Sequence, residues 1–429
     1  MKATTWTMRA AAIVCAGTLL VGCTSEDPDT EGAAPDTNSS KSAESTVDVE
    51  ALDTGDYPTE PAPPFGLATT EDILDVEGQR MAEFVTIPYE VDPELTFVDS
   101  SPNVIRSADA LSVLIATGAG DVARENRFLS GYSTRAAKTE FLRTQPMHQI
   151  NHTILRFQDP EGAEATARRL HDQMIAGTDD EPAQEKLTLE AHPETLASLS
   201  RYEDPDAGGH ERFTAFTPHG DYVIATIVTA PEGETAWLAE TASTAVELQK
   251  PLIERFPAAP TRARNNGEAP DMPQVDQGRI QIYAIPEDEE NNPNGDDRAG
   301  YGPRGMGHRS GDPRLVEVLT ETGSEHNAVG DSTVYRASDE AGAEKIYQTV
   351  VNSLLSRGAV EEPSPEGLPV AKCYSVATQY GVEDHCFLRE GRYVASVGAL
   401  TALGEDNKPS VLQRTSAQYL ILQHADQNA

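Results

Sequence analysis

The sequence predicts an α+β fold of two duplicated lobes, each a largely antiparallel sheet with helices packed on one face. Three observations carry that expectation. Residues 153–164 (TILRFQDPEGAE) match residues 333–344 (TVYRASDEAGAE) at a constant offset of 180, with six of the twelve positions identical. Downstream, Gly220-Asp221-Tyr222-Val223 is echoed by Gly391-Arg392-Tyr393-Val394, each the pattern of a hairpin turn entering a strand. Upstream, residues 113–118 (VLIATG) parallel residues 318–323 (VLTETG), each read as a helix end with Gly as its cap. Three matches in the same order mark a repeated unit.

The elements follow in chain order. Residues 1–22 read as an export signal, with Lys2 and Arg9 ahead of an apolar stretch over 10–22 that is too short to span a membrane. It ends in Leu20-Val21-Gly22-Cys23, which resembles the bacterial lipobox. That resemblance implies a diacylglycerol thioether on Cys23, and several acyl chains anchor stably at about 0.8 kcal/mol per buried methylene. Residues 24–50 carry eight acids, one Lys and no aromatic ring, so residues 23–50 read as a lipidated Cys and a disordered acidic tether.

The first lobe is expected over 51–262, the linker over 263–277 and the second lobe over 278–429. In both repeats a strand-like run meets an Asp at a helix N-cap position, Asp159 and Asp339. The helices that follow place Ala163, Ala167, Leu170 and Met174, or Ala343, Tyr347, Val350 and Leu354, on one stripe. A final helix is expected around 237–248 and 411–422. Ahead of the first repeat, residues 51–107 are extra, with an imperfect helical stripe through Leu74, Met81 and Val85. With Cys15 in the signal and Cys23 lipidated, Cys373 and Cys386 remain. Two thiols outside the reducing cytosol pair, here across the second lobe's hairpin, with Ser200 or nearby polar residues in their place in the first lobe.

Several blocks resemble signatures of an actinobacterial cell-envelope lipoprotein family of unknown function: residues 52–59 (LDTGDYPT), 77–82 (EGQRMA), 90–93 (EVDP), 131–135 (GYSTR) and 301–305 (YGPRG). The resemblance covers most of residues 50–425. It implies an extracytoplasmic, lipid-anchored protein and brings no catalytic residues with it. At the level of fold, the chain is also similar to the extracytoplasmic sensor domains of actinobacterial kinases.

Composition narrows the chemistry. Lys plus Arg number 33 against 70 Asp plus Glu, a formal charge of -37. A nucleic-acid partner needs a basic face and is excluded. No GxSxG, SxxK, HExxH or Walker string occurs, so no catalytic residue, metal ligand or cofactor is assigned. Residues 300–305 satisfy GxGxxG, but the expected strand over 279–285 ends well before them and Pro303 interrupts, so they read as a loop. The acidic run 287–297 reads as a solvated loop. His148 and His152 fall in a strand, where they do not share a helix face.

Two segments run against the overall acidity. Residues 119–152 hold Arg124, Arg127, Arg135, Lys138 and Arg143, and residues 298–314 hold Arg298, Arg304, Arg309 and Arg314. Guanidinium forks suit carboxylates and phosphates. Arg124, Arg127, Arg135, Lys138, Arg304 and Arg309 are therefore the candidate anion-binding set, expected to converge between the lobes on an anionic envelope component. Pairing with the chain's own acids is the alternative. The functional expectation is a membrane-anchored, non-catalytic binding or scaffolding protein on the extracytoplasmic face. An envelope hydrolase without a recognisable motif, or an inhibitor or co-receptor of another envelope protein, are the other readings.

Overall fold

The computed structural model describes residues 47–70, 72–98, 102–139, 147–177, 182–205, 208–262, 264–287, 298–402 and 407–426. The signal, Cys23, most of the acidic tether, Arg143 and nearly all of the acidic run after Pro286 lie outside the described residues.

The first domain comprises α1 (Ile73–Met81), α2 (Pro88–Val91), β1 (Asn103–Ile105), α3 (Leu111–Leu114), α4 (Ala119–Glu125), β2 (Phe128–Ala137), β3 (Gln149–Phe157), α5 (Pro160–Ala176), β4 (Glu185–Leu187), β5 (Leu196–Asp204), β6 (Gly208–His219), β7 (Tyr222–Pro231) and α6 (Thr235–Ile253). The second comprises β8 (Ala299–Tyr301), α7 (Pro303–Ser310), α8 (Pro313–Glu321), β9 (Asn327–Val329), β10 (Ser332–Arg336), α9 (Glu340–Ser356), β11 (Val360–Glu362), β12 (Lys372–Thr378), β13 (Gly381–Glu390), β14 (Tyr393–Ala402) and α10 (Lys408–Gln423). Each contains one seven-stranded sheet, in the orders β1-β2-β3-β7-β6-β5-β4 and β11-β12-β13-β14-β10-β9-β8. Read from the other edge, the second order is the first one over again. Every strand pairing among the described residues is antiparallel. The α+β fold with an internal duplication is thus present.

Local chemistry explains the repeated helices. Asp159 accepts the Gly162 amide at 2.9 Å and Asp339 accepts the Gly342 amide at 2.7 Å, so α5 and α9 start on equivalent caps. Each then runs 17 residues. The hairpin turns at Gly220 and Gly391 have φ of 56° and 52°, the left-handed region that Gly enters without a Cβ clash.

Helices cover both faces of each sheet, where one face was expected. The reason is the strand sequence itself, which is apolar at both parities. In β7, Val223 and Ala225 pack with α5 residues such as Ala167 and Leu170, while Val228 and Ala230 pack with Leu238 and Ala242 of α6. The second domain repeats this, with Phe387 beneath Val351 and Leu354 of α9, and Cys386 and Val397 beneath Val411 of α10.

Cys373 and Cys386 are directly opposed across β12 and β13 and form a disulfide with Cα atoms 4.0 Å apart. Strand register gives their counterparts. His219 pairs with Tyr222 at the first hairpin and Glu390 with Tyr393 at the second, so Ala215 corresponds to Cys386, and its partner Ala197 to Cys373. The first domain therefore carries a buried Ala–Ala pair there, not Ser200.

Three further expectations change. Residues 279–285 form a short 3-10 turn over Gln281–Tyr283 rather than a strand. Buried Asp276 holds it in place, accepting the amides of Ile280 and Gln281 at 2.9 Å each. Gly323 follows the end of α8 at φ 67°, as a cap should, but Gly118 precedes α4. The counterpart of α8 is α4, since each leads into the second strand of its sheet and packs on the long helix. Residues 47–65, counted with the tether and the first lobe, lie along the second domain. Val47, Leu52, Tyr57 and Phe65 join its core, and Tyr57 Oη is 2.8 Å from Ser410 Oγ.

One apolar core crosses the junction, joining Met81, Val85 and Tyr132 of the first domain to Met306, Leu315 and Tyr335 of the second.

Candidate functional site

The junction is built around α7. Gly300 to Gly305 lie on the step from β8 into that helix, so the glycines do stand between a strand and a helix. The helix N-terminus, with its free amides, is already occupied by a carboxylate. Glu83 of the first domain accepts the Arg304 amide at 3.1 Å and the Gly305 amide at 2.6 Å. Burial raises the pKa of Glu83, against the pull of these amides and of the Arg304 guanidinium. Arg304 makes two 2.7 Å bonds to Glu90 and one of 2.9 Å to the Val85 carbonyl. One turn on, His308 is fully buried, with Nδ1 3.1 Å from Thr134 Oγ1 and Nε2 3.1 Å from the Ala82 carbonyl. Burial, reinforced by Arg304, pulls its pKa down to about 3.

The other candidate cations are spread along the first domain. Arg124 pairs with Asp109 and Asp121, and Arg127 with Asp159. Lys138 bonds Asp92 and Glu94 at 2.9 Å each and lies 4.9 Å over the Trp237 ring. Arg135 donates to Gln149 at 3.0 Å. His148 stands 2.7 Å from Glu234, whereas His152 is buried against Thr226 and Gln249. β2 and α7 do touch, through Thr134 and His308 and through Tyr132, whose ring is 5.3 Å from that imidazole. The candidate cations themselves do not gather there.

Arg309 differs from the rest. It is half-buried at the end of α7, lies 5.9 Å over the Tyr301 ring, and has no carboxylate partner among the described residues. It lines a cleft of about 770 Å³, inside the roughly 300–1,000 Å³ range of small-molecule sites. Thr96, Phe97 and Val98 of the first domain form one side. The rest comes from the end of α7, from α8 and α9, and from the α9 face of the second sheet. Leu315, Val350, Leu354, Val376 and Phe387 give it apolar walls. Gly311, at φ 64°, lets the α7–α8 turn pass against the Thr96 carbonyl, where a Cβ would collide.

Polar groups line the cleft in two distinct states. Asp312 is bonded to Arg314 at 2.7 Å, and Glu383 to Arg357 at 2.7 Å, with His385 Nε2 3.5 Å from Glu383. The His385 ring and the Arg357 guanidinium hold the Glu383 carboxylate below its usual range. By contrast, the hydroxyls of Tyr335 and Ser396 make no hydrogen bond among the described residues. Burial pushes the Tyr335 phenol up to about 12, so it stays a donor. Neither residue was singled out from sequence. The signal was present in the repeat: Tyr335 stands where the first copy has Leu155, and Ser396 where register places Ala225, both buried and apolar.

Among the described residues, no group of three or more His, Cys, Asp or Glu is placed to hold a metal ion, and no helix is long and apolar enough to cross a membrane.

Comparison with known proteins identifies the two halves. The N-terminal part of the domain of unknown function DUF7373 matches residues 65–267, and its C-terminal part matches residues 281–425. No curated protein matches the chain. Among solved structures, the extracellular domain of PknH from Mycobacterium tuberculosis is similar to 46% of this chain over 100% of its own, at 11% identity and a TM-score of 0.28. Both halves of one family thus lie in order along most of the chain, and the protein belongs to the DUF7373 family.

Proposed function

We propose that this is an extracytoplasmic lipoprotein, anchored through Cys23, whose inter-domain cleft binds a small ligand without transforming it. The observation that carries the reading is the cleft, an apolar-walled space of about 770 Å³ between two domains that share one core. Its acidic groups are committed to structural ion pairs, Asp312 with Arg314 and Glu383 with Arg357, which leaves them poorly suited to proton transfer. The disulfide in the second domain suits an oxidising compartment. The lipobox-like run before Cys23 supplies the membrane attachment, and through it the membrane is the first partner. The anionic envelope component expected from the basic segments is the ligand class, with Arg309 the member of that set lining the cleft. The chain's charge of -37 keeps the rest of the surface repulsive to anions, and so confines their recognition to local sites.

Native mass spectrometry of the protein extracted from its own membrane in mild detergent tests this. The expected spectrum shows an acylated chain with a second, non-covalent mass that is lost on denaturation. A chain found in the soluble fraction, with no difference between wild type and Cys23→Ser, would remove the anchor. A ligand-free spectrum at every extraction condition would remove the binding reading.

A further inference from the structure

We infer that the cleft takes an amphipathic anion, with its carboxylate or phosphate head on Arg309, Tyr335 and Ser396 and its hydrocarbon body against Val376, Leu354 and Phe387. This rests on the reading of the cleft as a binding site and specifies its ligand.

The head-group site follows from hydrogen-bond accounting. A donor that lines a cleft and meets no protein acceptor is left to water or to a ligand. Three donors without a hydrogen-bond partner among the described residues line this one space: the half-buried Arg309 guanidinium, the Tyr335 phenol and the half-buried Ser396 alcohol. No carboxylate among the described residues answers them, although the chain has 70 Asp and Glu. The remaining arginine of the cleft, Arg357, is already matched by Glu383. An acceptor-only group supplied from outside satisfies all three donors together, and an anion does so with the strength of a charge-assisted bond.

The repeat makes the same point independently. At the equivalent places the first domain closes its face with Leu155 and Ala225 packed under α5. In the second domain the matching α9 leaves room, and the two changed residues bring hydroxyls to the wall of that space. The rest of the lining explains the body of the ligand. Val376, Leu354 and Phe387 form an apolar cluster on one side of the cleft, and Phe97 and Val98 face it from the first domain. A small inorganic anion would leave this surface wet, whereas a hydrocarbon chain removes it from water at about 25 cal/mol per Å².

Isothermal titration of the folded, disulfide-bonded protein with laurate, dodecyl phosphate and dodecanol tests the inference. Laurate and dodecyl phosphate should bind at least tenfold more tightly than dodecanol, and which of the two is tighter identifies the head. Arg309→Gln should weaken both anions about tenfold or more while leaving dodecanol unchanged. Tyr335→Phe should take a smaller part of the same preference, with an unchanged thermal midpoint showing that the fold is intact. Equal affinity for dodecanol and the anions would overturn the head-group site but leave a binding cleft. Failure of all three to bind would overturn the cleft reading as well. Anion binding that survives Val376→Trp, a change that fills the apolar wall, would place the site elsewhere.

Discussion

On its α5-side face, beside residues 113–115, the first domain presents Ser133, Arg135, Gln149, Asn151, Arg212 and Thr229 around a hollow of about 280 Å³. On the α9-side face of its own sheet the second domain presents Val376, Glu383, His385 and Phe387, and opens into the cleft of about 770 Å³. The strands beneath are equivalent. Arg212 and Glu383 occupy the same register position relative to their hairpins, and so do Phe216 and Phe387. Duplication has kept the hydrogen-bonded frame and the helix caps, while a few outward side chains decide what each face accepts. On the opposite face the contrast is structural: a disulfide in one domain, two alanines in the other.

The largest expected effect comes from breaking that second contrast. Replacing Cys373 and Cys386 by Ser should cost about 3 kcal/mol, because the bond closes a short loop in the unfolded chain. Denaturant titration of wild type and variant without reductant measures it, and equal midpoints would contradict it. The reciprocal change, Ala197→Cys with Ala215→Cys, should form a bond spontaneously under oxidising conditions, seen as loss of two free thiols. Persistent thiols would show that the two hairpins are not equivalent.

Acid should act next, at the junction. Burial holds His152 down at about 4 and His308 at about 3, below the roughly 6.5 of an unfolded chain. As pH falls through 6.5 the unfolded chain takes up these protons and the native protein does not. The stability contributed by the two rings is therefore complete above about pH 6.5 and is lost towards their folded values, at up to about 1.4 kcal/mol per pH unit for each ring. Between pH 6.5 and 5.5, above most carboxylate titration, the pair should cost about 2 kcal/mol. Glu83, raised by burial, acts in the opposite sense at lower pH. Urea midpoints at the two pH values should differ accordingly, and His308→Gln should reduce the difference. A flat profile would contradict the buried, neutral state.

The caps should give a smaller and nearly equal pair of effects. Asp159→Ala and Asp339→Ala should each cost about 1 kcal/mol, with Asp159 slightly the more expensive because it also pairs with Arg127. A large difference between them would break the equivalence of α5 and α9. Smallest of all, Glu383→Ala removes the partner of Arg357 at a half-exposed site and should cost no more than about 1 kcal/mol. It should also tighten anion binding by releasing a second guanidinium into the cleft.

Much of this frame was legible in the residues. The offset of 180, the two Asp caps and the glycine turns located β3, α5, β7 and their partners, because caps and turns depend on local backbone chemistry. The use of both sheet faces was harder to read, since it depends on which helix returns to which side. The docking of Tyr57 and Phe65 on the second domain was hidden for a similar reason: the contact spans more than 300 residues. The site was partly visible. Arg309 was named for its charge, but nothing local distinguishes it from Arg304, whose Glu90 partner lies 214 positions away. Tyr335 and Ser396 become meaningful only when the repeat is aligned strand by strand and their first-domain counterparts prove to be Leu155 and Ala225.

The contrast between the two faces is tested most directly by hydrogen–deuterium exchange of the intact protein with and without saturating laurate. Slowed exchange should appear in residues 309–315 and 376–387, with residues 133–137, 149–151 and 212–229 unchanged. Protection confined to the first domain, or absent from both, would contradict the account.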